Sequence, residues 1–247
     1  MKFKLNDTQK VSEWVEIFKF IKNINRHVTF MAKRDELYIQ MMDSSHVCLV
    51  EIKFPSAWFH EYESIDEVFS CSSSVLVKIF GLYTSETTIE IMSTDEKLEI
   101  HLFNLKQNKH FEIPLIDIDQ DLLSPSISDS LMDFSIKSKI FDKYLQEILL
   151  FGEDVKIESK DEKIFLHSSN DEGKIQIEIE GDNLEEFNVV ENFEFNASYP
   201  LRYLLLVSKL ALVYQQVHLF MDDQSPMRIT FKSDVNINFF LAPKITE

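Results

Sequence analysis

The stretch VTFMAKRDELYIQMMDSSHVCLVEI, residues 28–52, decides the fold of this chain, because a second version of it follows. Set beneath it, VKIESKDEKIFLHSSNDEGKIQIEI, residues 155–179, aligns without a gap at an offset of 127. Val28 falls on Val155, Phe30 on Ile157 and Lys33 on Lys160. Leu37-Tyr38-Ile39 falls on Ile164-Phe165-Leu166, and Val50-Glu51-Ile52 on Ile177-Glu178-Ile179. Both copies alternate apolar and polar residues, the two-residue period of strands with one buried face.

The flanks repeat as well. Before the first copy, Trp14, Ile17, Phe18, Ile21 and Ile24 recur at helical spacing. Before the second, Ile140, Phe141, Tyr144, Leu145, Ile148 and Leu149 do the same. After them, VLVKIFGLY (75–83) and YPLRYLLLVSKLALVY (199–214) read as helices. Each is followed by alternating strands, TTIEIMSTDEKLEIHLF and QVHLFMDDQSPMRITFK. The fold class is therefore α+β, with two similar domains at 1–116 and 135–247. Residues 117–134, rich in Asp and Ser, form the connector between them.

Composition bounds the function. The chain has 247 residues, 45% of them apolar, enough for real cores. No apolar run reaches the roughly 20 residues of a membrane span, so no membrane partner is expected. The N-terminus MKFKLNDTQK lacks the apolar stretch of a signal peptide. Cys48 and Cys71 have neither metal nor disulfide-framework spacing and read as reduced core residues of an intracellular protein. With 25 basic against 42 acidic residues, the net charge is −17. Such a chain repels nucleic acid on average, unless its basic residues are gathered on one surface.

Asp43-Ser44-Ser45-His46 carries the residue types of a nucleophilic triad. Triads assemble from distant segments, since sequence neighbours point different ways. The second copy has Asn170-Asp171-Glu172-Gly173 here, ordinary turn composition. The reading is a turn, with no catalytic residue, no metal and no cofactor; no phosphate-binding or zinc motif appears elsewhere. The basic residues are more informative. Arg202 and Lys209 are seven apart on one predicted helix, Lys78 lies in the corresponding first-half helix, and Lys143 lies in the helix opening the second half. Lys19 lies opposite the apolar stripe of the first helix, with Lys22 at its border. Two readings stay open: solvated helix faces, or one shared basic patch.

MDSSHV (42–47), LRYL (201–204) and LAPKI (241–245) resemble proliferating cell nuclear antigen, the eukaryotic-, archaeal- and viral-type DNA sliding clamp. The resemblance covers essentially the whole chain. It implies the DNA-clamp fold: a head-to-tail homotrimeric ring with sheets outside and helices lining the hole. The protomer edges would be Phe111, Ile113 and Leu115 on one side, and Ile175 and Ile177 on the other. Double-stranded DNA would be threaded past Lys19, Lys22, Lys78, Lys143, Arg202 and Lys209 without base reading. A groove at Met42, His46, Val47, Leu123, Pro226, Phe240, Leu241, Ala242 and Pro243 would take short partner peptides. The implied partners are the DNA polymerase, clamp loader, flap nuclease and ligase. The implied role is non-enzymatic: processivity in replication and repair, in the nucleus or a viral replication compartment.

The chain departs from the family's pattern. Val15 and Glu16 stand where the first inner helix has two lysines, Gly81 replaces a lysine, and Gln146 replaces an arginine, so the hole is less basic. Pro125 and Ser130 replace an isoleucine and a tyrosine of the groove wall. Pro114, in the edge strand FEIPL, cannot donate to a ladder. If the ring closes, its nitrogen is expected to point away from the neighbour. The alternatives are a subunit of a heterotrimeric or checkpoint-type clamp, an enzyme using the Asp-Ser-His turn, and an acidic interaction protein independent of DNA.

Overall fold

The computed structural model describes residues 1–118, 122–125, 130–161, 163–231 and 233–245. The chain forms two units: Met1–Ser44, Val50–Ser124 and Asp234–Ile237 in the first, and Ser45–Leu49, Pro125–Ser233 and Asn238–Glu247 in the second. Of the connector expected at 117–134, residues 119–121 and 126–129 lie outside the described residues.

The first unit runs β1 (Lys2–Leu5), α1 (Thr8–Ile24), β2 (His27–Ala32), β3 (Glu36–Met42), β4 (Cys48–Pro55), β5 (Glu61–Glu63), β6 (Glu67–Ser72), α2 (Ser73–Phe80), β7 (Thr88–Ser93), β8 (Lys97–Phe103) and β9 (Asn108–Pro114). Asp7 starts α1, its carboxylate accepting from the Lys10 N–H at 2.9 Å. That satisfies one of the helix's otherwise orphan donors. Lys22 sits in the last turn, where the carbonyl end of the helix favours a cation. The apolar positions Trp14, Ile17, Phe18 and Ile21 are all buried. Trp14 is the hub, with ring centroids 5.2 Å from Phe3, 4.5 Å from Phe18, 5.1 Å from Phe54 and 5.9 Å from Phe80. Strands lie in the order β5-β1-β7-β8-β9 and, in a second group, β4-β3-β2-β6.

The second unit repeats this order element for element: β10 (Met132–Lys137), α3 (Ser138–Ile148), β11 (Asp154–Lys160), β12 (Lys163–Asn170), β13 (Gly173–Ile179), β14 (Leu184–Val189), β15 (Phe195–Pro200), α4 (Leu201–Ser208), β16 (Gln216–Met221), β17 (Met227–Phe231) and β18 (Asn236–Leu241). Its strands lie β14-β10-β16-β17-β18 and β13-β12-β11-β15. The repeat extends to register. Phe30 opposes Ile39 in the first unit and Ile157 opposes Leu166 in the second, so both partners move by the same 127 residues. In the second copy, where buried and more exposed positions alternate, a one-residue slip would turn the buried side chains outward, and that cost fixes the register.

The structure corrects three boundaries. Tyr199 and Pro200 end β15 and are not helical; α4 starts only at Leu201. A residue before proline is pushed towards extended backbone, which accounts for Tyr199. The helix read at 75–83 runs Ser73–Phe80, with Gly81 as its C-cap. The strand β10 opens at Met132, inside the expected connector. Cys48 and Cys71 are free and buried, and burial pushes the Cys71 thiol up to about 12.

Candidate functional site

The turn that raised the question of catalysis is a turn. Asp43 to Val47 joins β3 to β4. His46 there adopts φ 57°, a left-handed conformation that histidine tolerates better than bulky or branched residues. Ser44, Ser45 and His46 are exposed, while Asp43 is 7% exposed.

The six basic positions all reach solvent, and each unit carries three. In the first unit α1 packs on α2, with Lys19 and Lys22 on the former and Lys78 on the latter. Lys19 is already paired with Glu16 at 2.6 Å. In the second unit α3 packs on α4, held by a hydrogen bond from Ser208 Oγ to Asp142 Oδ1 at 2.5 Å. Lys143 lies 3.6 Å from Glu147. Arg202 donates to Tyr203 Oη at 2.7 Å and its guanidinium lies 4.6 Å from that ring's centroid. Lys209 is not on the same α-helix as Arg202. The chain tightens to a 3-10 turn at Lys209–Leu212, so the seven-residue spacing does not keep one face. The sequence reading missed Lys139, exposed on α3 four residues before Lys143. Its signal was that spacing, which puts the two on one helix face.

Among the described residues, the expected protomer edges are strands that end their sheets. β9 ends one strand order and β13 ends another. Phe111, Leu115, Ile175 and Ile177 are half-exposed, but Ile113 is 2% exposed and belongs to the core of its own unit. The direction of Pro114 follows from its neighbour. Leu115 N–H donates to the Glu96 carbonyl at 3.0 Å, towards β8, and Lys97 opposes Pro114. Successive residues of an antiparallel strand point their N–H groups to opposite sides. The nitrogen of Pro114 therefore faces the open edge, opposite to the expectation from ring closure. Asn108, His110 and Glu112 point their N–H groups the same way. On the outer face, Lys97 Nζ bonds Glu112 at 2.6 Å and holds that carboxyl below the usual carboxylate range.

The expected groove residues divide by burial. In the second unit, Ala242 N–H donates to the Val47 carbonyl at 3.0 Å, and Lys244 N–H to the Ser198 carbonyl at 2.7 Å. The tail is thus pinned on both sides of Pro243, which is exposed. Pro243 and Pro226 line one cavity of about 930 Å³ with Phe195, Ala197, Tyr199 and Lys244. Phe195, Ala197 and Tyr199 carried no sequence signal of a site, whereas Lys244 lies in LAPKI. Val47 is half-buried and His46 exposed. Phe240 and Leu241 are 6% and 1% exposed; in β18 they pack into the sheet, Leu241 opposite Met227, and present no side chain to a ligand. In the first unit, Met42 is half-buried and Leu123 is 45% exposed.

Duplicated units, each a helix pair on antiparallel strands with cations on the helices, are consistent with the fold of a two-domain clamp chain. Residues 6–123 match the family model "Proliferating cell nuclear antigen, N-terminal domain". The similarity extends beyond those residues. The chain is 28% identical to a protein of Thermofilum pendens named "DNA polymerase sliding clamp", covering 94% of this chain and 96% of that one. It is 26% identical to "Probable DNA polymerase sliding clamp 2" of Paramecium bursaria Chlorella virus 1, covering 85% and 79%. It is 21% identical to "Proliferating cell nuclear antigen 2" of Plasmodium falciparum, covering 93% and 94%. The resemblance read from MDSSHV, LRYL and LAPKI is borne out.

Proposed function

We propose that this chain is a DNA sliding clamp: three copies close head to tail through β9 and β13, duplex DNA threads the hole, and replication enzymes dock by short peptides. A clamp of this family is a processivity factor and not an enzyme. The observation that carries the reading is the element-for-element repeat, in a chain similar over 94% of its length to a protein named a sliding clamp.

The charge pattern supports it. In a chain of net charge −17, exposed cations sit on the paired helices of both units. Contacts from Lys22, Lys78, Lys143, Arg202 and Lys209 to phosphate would be weak, salt-sensitive and blind to sequence. That is what sliding needs. Tethering then raises the effective concentration of each docked enzyme at the template. The polymerase and clamp loader are the primary partners, with a flap nuclease and ligase using the same groove, wherever the DNA is replicated. The cavity at Pro226 and Pro243 supports the groove.

The test is topological. Loaded by its clamp loader onto nicked circular DNA, the protein should stay bound through a salt wash and be released when the circle is cut open. Retention that does not depend on closure of the circle would refute threading. The heterotrimeric reading is favoured by one observation, the nitrogen of Pro114 on the open edge of β9. A chain that stays monomeric alone at high concentration would support it.

A further inference from the structure

Leu123 and Gln40 are 83 residues apart, yet they bond twice. Gln40 Nε2 donates to the Leu123 carbonyl at 2.7 Å, and the Leu123 N–H donates to Gln40 Oε1 at 2.9 Å. One carboxamide thus satisfies both main-chain groups of one connector residue, as a neighbouring strand would. Gln40 is 1% exposed on β3. Its orientation is set from behind. Nε2 also donates to Tyr38 Oη at 2.8 Å, and Tyr38 Oη donates to Glu51 Oε1 at 2.6 Å. A flipped carboxamide would set its N–H groups against the Leu123 N–H and its oxygen against the Leu123 carbonyl. The buried network therefore admits one orientation.

The grip falls on a stretch of exposed apolar surface. Leu122 is 54% exposed and Leu123 is 45% exposed. Two adjacent leucines at the surface gain nothing from folding in this state, but are suited to an apolar ligand.

We propose that Gln40 is a positioning residue for partner-peptide binding: it holds the connector main chain at Leu123, so that Leu122 and Leu123 meet the aliphatic and aromatic anchors of a docked peptide. This rests on the reading of the chain as a clamp with a peptide groove. The advantage is preorganisation, since a segment already held in its bound form pays no ordering cost on binding. Releasing it reduces the fraction of competent molecules, and the apparent Kd rises by the inverse of that fraction.

The test uses Gln40→Leu and the volume-conserving Gln40→Met, with a synthetic peptide carrying a glutamine and aliphatic and aromatic anchors. Calorimetry gives affinity, and hydrogen exchange follows the Leu123 amide. In the wild type that amide should be protected before peptide is added. Each variant should exchange it faster and bind the peptide roughly tenfold more weakly, if unlatching leaves about a tenth of molecules competent. Leu123→Ala should also weaken binding, but with the amide still protected. A folded variant that binds within twofold of wild type, or one whose Leu123 amide exchanges no faster, would overturn the proposal. If neither variant folds, an unprotected Leu123 amide in the wild type overturns it, and a protected one that gains no further protection on peptide binding upholds the latch. A wild-type protein with a protected amide and no peptide binding would instead remove the groove reading, and the positioning role with it.

Discussion

Replacing Pro114 with alanine should tighten the ring. The nitrogen of Pro114 faces the open edge of β9, where a neighbouring strand would meet a missing donor. Alanine supplies the N–H without altering the β8 side, where Leu115 already bonds Glu96. One hydrogen bond is worth about 0.5–1.5 kcal/mol net. A closed trimer has three such interfaces, so the gain is about 3 kcal/mol per ring at the middle of that range. That is roughly 150-fold in the trimer dissociation constant, and about tenfold in the concentration of half-assembly, since that constant carries the square of a concentration. Sedimentation velocity across a dilution series measures this for wild type and Pro114→Ala. A thermal melt checks that the loss of proline's stiffening of the unfolded chain, about 0.4–1 kcal/mol, has not unfolded the protomer. If a folded Pro114→Ala protein assembles at the same concentration as wild type, or a higher one, β9 does not pair with a neighbour at this position.

Three further outcomes are expected. Lys78→Glu with Lys209→Glu should abolish stimulation of the polymerase on primed DNA, while leaving peptide affinity unchanged, and the wild-type stimulation should fall as salt rises. Pro226→Ala with Pro243→Ala should weaken peptide binding in calorimetry with little change in melting temperature, whereas Leu241→Ala, a truncation in the packed sheet, should cost about 2–5 kcal/mol of stability. Burial lowers the pKa of His167 below its ordinary 6.5. The unfolded chain then binds the proton more readily, so this histidine removes stability as pH falls from 6.5 through its lower folded value. His167→Gln should flatten that part of a stability-against-pH curve, and an unchanged curve would refute the assignment.

The sequence by itself determined the architecture. Strand alternation is local, and an ungapped match at an offset of 127 made the two halves one design. It also marked Asp43–His46 as a turn, because turn residues are written in neighbouring positions. Cations on helices were legible too, down to the Lys139–Lys143 spacing that went unread. What tertiary structure decided is direction and burial. Alternation along FEIPL allows the nitrogen of Pro114 two directions, and only the bond from Leu115 to Glu96 selects one. LAPKI does not reveal that Leu241 packs inward opposite Met227 while Pro243 stays exposed, because a run of apolar residues carries no period. The apolar run from Tyr199 hid a strand end, since helical and strand patterns coincide where nearly every residue is apolar. Gln40 meeting Leu123 is beyond any reading of spacing: the two are brought together by the path of the chain between them, and a hydrogen bond is decided by distance in space alone.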